Sequence, residues 1–153
     1  MDKMNNDDVV DCLNNLIETS KDGEYGFRTC AERATSGELK SLFTKRAAGC
    51  AGAATELQRL VSQHGGKAED SGSVAGTMHR GWVSVRDAVS GTSDQAILDE
   101  CERGEDSALA QYRKALKQDL PDAVKQVVQK QMTGVQANHD EVKRLRDAMK
   151  SRA

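Results

Sequence analysis

Residues 13–34 read LNNLIETSKDGEYGFRTCAERA, and within them Leu13, Ile17, Ser20, Glu24, Phe27, Ala31 and Ala34 recur at alternating steps of four and three. That is the period of an α-helix laying one stripe along a neighbour. It also places a carboxylate, Glu24, on the stripe. The same period recurs down the chain, so the spacing predicts an all-α protein with helices over about 6–34, 36–64, 74–89, 94–117 and 121–150.

The second helix carries Leu39, Phe43, Arg46, Cys50, Ala53, Leu57 and Leu60 on its stripe. Val74, Met78, Trp82, Val85 and Val89 mark one face of the short third. Leu98, Cys101, Glu105, Ala108, Tyr112 and Ala115 mark the fourth, which puts Glu105 inward as Glu24 is in the first. Val124, Val128, Met132, Val135, His139, Val142 and Met149 mark the last, with Gln136 one turn from His139. Boundary chemistry agrees with these limits. Thr35 and Glu38 have capping-box spacing, Gly65-Gly66 stops the second helix, Ser93 offers a second N-cap, and Pro121 suits a first turn.

At 153 residues the chain is expected to form one domain over 1–153, large enough to bury a core without disulfides or a structural metal. One proline and 3% aromatic residues exclude a sandwich or barrel, which needs strand formers and frequent turns. The 22 basic and 24 acidic side chains are intermixed and sum to -2, so no nucleic-acid partner is expected. No apolar run reaches the roughly 18 residues of a membrane helix, and no membrane partner is expected. The acidic start from Met1 to Asp8 does not resemble a signal peptide, and the expected location is cytoplasmic. Cys12, Cys30, Cys50 and Cys101 lack CxxC spacing and read as small buried hydrophobes in a reducing compartment. His64 reads as a cation at a helix C-terminus, and Trp82, which shares the short helix with His79, as a packing residue. No nucleotide-binding glycine loop and no Ser-His-Asp signature is present, so those enzyme classes have no support.

The two halves also resemble one another. A displacement of 85 residues sets Leu39 on Val124, Lys45 on Lys130, Gly49 on Gly134, Glu56 on Glu141 and Leu60 on Leu145. A displacement of 81 sets Glu24 on Glu105 and Ala34 on Ala115. Two helical hairpins joined by a long crossover that carries the short extra helix follow from this repeat.

A bundle with a glutamate on the seam of each half resembles the ferritin-like superfamily. More closely, the chain is similar to an uncharacterised bacterial family of ferritin-like four-helix bundles. The stretches that carry the likeness are Asn14–Glu18 with Asp22–Phe27, Gly76–Trp82, and Cys101–Asp106. The resemblance implies a ferritin-like four-helix bundle. In metal-binding members, one helix of each hairpin supplies a Glu and the other a Glu-x-x-His pair, whose two side chains share one inward face.

Carried onto this sequence, the resemblance implies the ligand set Glu24, Glu105, Gln136 and His139, with Gln136 standing where the pattern has Glu. The repeat puts the second pair at Ala51 and Ala54, which cannot ligate, and Glu56 is expected to point elsewhere. Two carboxylates offset the charge of two divalent ions poorly in a dry core. The leading expectation is therefore a non-enzymatic bundle that self-associates as a dimer, with a role in a stress response and Glu24 and Glu105 held by Gln136, His139, Tyr112 or water, sharing a proton. The alternative is an iron- or manganese-binding protein with a mononuclear or partial dinuclear site at the same four residues, used for storage, sensing or oxidation.

Overall fold

The computed structural model describes residues 4–67 and 93–152. They form four helices: α1 (Asn6–Arg33), α2 (Gly37–Gln63), α3 (Asp94–Leu116) and α4 (Asp122–Arg152). The short helix expected over 74–89, with His79 and Trp82, lies outside the described residues.

Three of the four helices, α1, α2 and α3, begin where a side chain can replace the missing carbonyl partner of the first N–H groups. Asn5 Oδ1 accepts from the Asp8 amide at 2.8 Å, Ser36 Oγ from Leu39 at 3.3 Å, and Ser93 Oγ from Ala96 at 3.3 Å. The α2 cap is thus Ser36 rather than the expected Thr35. The reason is tertiary: the Asp94 carboxylate accepts from the Thr35 amide at 2.8 Å, the Thr35 hydroxyl at 2.9 Å and the Ser36 amide at 3.0 Å. α2 stops as expected. Gly65 takes a φ of 76°, Gly65 N–H donates to Ser62 O and Gly66 N–H to Val61 O, which together satisfy two of the helix's last carbonyls. A Cβ on Gly66 would stand 2.5 Å from Val10 Cγ2, so the loop's close packing on α1 also requires glycine there. His64 caps the same end, its Nδ1 2.9 Å from Leu60 O.

The three bonds at Asp94 fasten the start of α3 to the end of α1, while Met4 N–H donates to Asp119 O at the other end. α1 and α3 are therefore antiparallel neighbours. α1 and α2 form one hairpin and α3 and α4 the other, and α2 lies beside α4, the pair that approaches least closely. The order is up, down, down, up. Asn14 Nδ2 donates to Lys67 O, so α2 finishes at one end of the bundle and α3 starts at the other, roughly 35 Å away by the length of a 23-residue helix.

Because Asp94 ties one hairpin to the other, Asp94→Ala is expected to lower unfolding stability by about 1–2 kcal/mol, since hydrogen bonds to a carboxylate are the stronger kind but this one is solvent-facing. The same bonds hold its carboxyl below the ordinary range against the effect of burial. A depressed pKa stabilises above the unfolded value and is lost as pH falls through the folded one. Denaturant melts at pH 7 and pH 3 should therefore show the difference between parent and variant shrinking in acid.

Two apolar clusters fill the bundle. One gathers Leu13, Leu16, Ile17, Leu57, Val61 and Leu109 near the α1 start; the other gathers Phe27, Phe43, Ile97, Leu98, Cys101 and Val142 near the α3 start. All four cysteines are buried and free, and Cys30 and Cys101 meet at 3.3 Å across the α1–α3 contact. No described helix is long and apolar enough to cross a membrane.

Candidate functional site

Between the two clusters the four helices surround a cavity of about 220 Å³. Its existence follows from small residues at one level: Gly23 on α1, Gly49 and Ala53 on α2, Gly104 and Ala108 on α3, and Gly134 on α4 all line it. A layer of glycines withholds the side chains that would otherwise close a bundle core. Gly49 and Gly134 are solvent-exposed and also line a groove outside, so the mouth lies between α2 and α4.

Polar groups project into this space. Glu105 is 2% exposed, and its Oε1 accepts from Asn138 Nδ2 at 2.8 Å. Arg46 Nε stands 3.5 Å from Glu105 Oε2, and the guanidinium carbon lies 5.9 Å from the centre of the Phe27 ring. Burial pushes the Glu105 carboxyl up to about 7, with Asn138, Arg46 and His139 pulling the other way. On the far wall, Tyr112 OH donates to Gln131 Oε1 at 2.8 Å, and Gln131 Nε2 donates to Glu56 Oε1 at 2.8 Å. Burial raises the Tyr112 hydroxyl to about 12 and the Cys50 thiol to about 11, so neither ionises near neutrality. The cavity offers binding groups and a titratable acid, but no activated nucleophile.

The residues expected to form a metal site are only partly brought together. Glu105 is central, as expected. Glu24 is not: it sits at the edge of the buried stripe of α1, 22% exposed, and its Oε2 accepts from Arg28 Nη2 at 2.6 Å. α1 packs on both α2 and α3 and buries a stripe broad enough for Gly23, beside Glu24, to take the central position. Gln136 turns outward and donates to Asp140 Oδ1 at 3.0 Å. His139 lies beside the site, its Nε2 2.7 Å from Asp106 Oδ1. The inward line on α4 runs Gln131, Val135, Asn138 and Val142, so Asn138, within the expected motif but given no role, is the donor to Glu105.

Glu56 is a further correction, since it lines the cavity instead of pointing elsewhere. Nor are Glu24 and Glu105 held as a pair, because each is engaged by a different partner: Arg28 for one, Asn138 for the other. Among the described residues no three His, Cys, Asp or Glu side chains are grouped to hold a metal ion. A guanidinium within ion-pair range of the one central carboxylate is also poor company for a second cation. The donor set present here does not fit the implied metal.

A family model described as a domain of unknown function, DUF2383, matches residues 8–118, nearly three-quarters of the chain. The chain belongs to the DUF2383 family. No curated protein matches this DUF2383 chain. The matched stretch holds α1, α2 and α3 and therefore Arg46, Glu56, Glu105 and Tyr112, whereas Gln131, Asn138 and His139 fall beyond it on α4.

Proposed function

We propose that this DUF2383 protein is a ferritin-like bundle whose centre works without a metal, and that it acts as a non-enzymatic, self-associating protein of the cytoplasm. The observation that carries the reading is the Arg46–Glu105 pair. In it a fixed organic cation stands beside the one buried central glutamate, while Glu24, Gln136 and His139 turn to other partners. The up-down-down-up order, with one long connection between hairpins, supports the ferritin-like part. The partner in this reading is a second copy of the chain.

A second reading, iron or manganese binding, gains one observation, since Glu56 shares the cavity with Glu105. One preparation separates the two. Tag-free protein from cells supplemented with iron and manganese is expected to carry far less than one metal per chain and to run as a dimer by light scattering. Near-stoichiometric metal that disappears in Glu105→Ala would overturn the metal-free reading, and a monomer would overturn self-association.

A further inference from the structure

The donors and acceptors around the cavity are unevenly satisfied. One oxygen of each acid holds a neutral amide donor, Asn138 on Glu105 Oε1 and Gln131 on Glu56 Oε1, while the buried Glu105 Oε2 has no hydrogen-bond partner among the described residues and, when protonated, can donate to an incoming acceptor. Arg46 lacks a matching acceptor. Among the described residues, Arg46 meets an acid only at 3.5 Å from Glu105, and its buried Nε has no hydrogen-bond acceptor. Lys130, at an exposed position on α4, lines the same cavity and adds a second positive charge. Five guanidinium N–H groups in a planar fork match the two oxygens of a carboxylate.

Part of the remaining wall is apolar. Phe27, Cys50, Ala108 and Val135 line it, and none of these four offers a strong polar group. A buried apolar void of roughly 150 Å³ accepts a benzene ring, so one of about 220 Å³ takes a body of that size plus a short head group. Access is open. A Cβ built on Gly134 meets nothing within 4 Å, and one on Gly49 meets only the movable end of Arg46, at 3.1 Å.

The geometry points to a binding site for a small organic monocarboxylate, entering between Gly49 and Gly134, with its carboxylate on Arg46 and Lys130 and its apolar body against Phe27 and Val135. The inference builds on the metal-free reading of the centre, but metal analysis and ligand binding succeed or fail separately.

Fluorine NMR with 4-fluorophenylacetate, and calorimetry with octanoate, test it on the full chain. At least one probe is expected to bind with a sub-millimolar dissociation constant, and the tighter of the two assigns an aromatic or aliphatic body. The uncharged analogue 2-(4-fluorophenyl)ethanol and the variant Arg46→Gln should each weaken binding at least tenfold. Gly134→Leu, a change at an exposed helix position that leaves the core untouched, should block the mouth and give the same loss should Arg46→Gln fold poorly. The proposal is overturned by no binding of either acid, by equal binding of the alcohol, or by binding indifferent to Gly134→Leu.

Discussion

At pH 9 the variant Glu105→Gln is expected to unfold with about 3 kcal/mol more free energy than the parent, and near pH 4 the two should be equal. The sign follows from linkage. Burial lifts the Glu105 carboxyl from the ordinary 4.5 to about 7, so between these values the folded chain keeps a proton that the unfolded chain has released. Stability from this group is fully present below 4.5 and drains away as pH rises through 7. Two and a half pKa units correspond to about 3 kcal/mol, and at 2% exposure little of that is lost to solvent screening. Glutamine has the shape of the protonated acid, can still accept from Asn138, and does not ionise. Arg46 loses its counter-charge, but it lies at the mouth and reaches water. Urea melts of both proteins from pH 4 to pH 9 isolate the effect, because the other titrating groups cancel in the difference. Parallel curves would mean that Glu105 titrates alike in the folded and unfolded chain and that burial is not what governs it.

This one acid was legible in the sequence because a carboxylate on an apolar seam is rare and needs a reason. Glu24 had the same signature and a different outcome. A line of threes and fours treats each helix as touching one neighbour, yet α1 touches two, and the buried stripe widens until the residue beside the line takes the centre. Arg46 falls on the α2 seam, but a cation carries no lone pair for a metal and so has no place in a ligand pattern. Its meaning depends on Glu105 being 3.5 Å away on another helix, which no local pattern records. The choice of Asn138 over His139 is equally non-local. Successive residues of a helix point about 100° apart, and only the way α4 lies against α3 decides which of them faces the cavity.

The cavity itself had a visible trace. The displacement of 85 sets Gly49 on Gly134, and the one of 81 that sets Glu24 on Glu105 also sets Gly23 on Gly104. All four cavity glycines are thus two repeat-related pairs, one per helix. Helix interiors resist glycine by about 1 kcal/mol relative to alanine, so four of them at one level is a cost repeated in both halves. Such a pattern argues for space rather than for ligands, which is the reading the polar contacts around Arg46 support.

Phe43→Ala is expected to cost about 3–5 kcal/mol, the range for deleting a fully buried phenyl ring, and to lower the melting temperature by on the order of 10 °C in a chain of this size. Phe43 is 0% exposed and is one of only two phenylalanines. Its ring lies 6.1 Å from that of Phe27 at 30° between planes, close enough for the rings to hold each other beyond their shared burial. The cluster mixes large side chains, Leu39, Ile97 and Leu98, with small ones, Ala34, Ala47, Cys30 and Cys101, and the small ones cannot reach into the gap. Incomplete collapse leaves a void, and the loss should lie toward the upper end of the range. The consequence reaches the site, since Phe27 is also the ring beneath the Arg46 guanidinium. A loss below about 1 kcal/mol would mean that this end of the bundle repacks freely, and a core that repacks freely could not hold Arg46 and Glu105 in one arrangement.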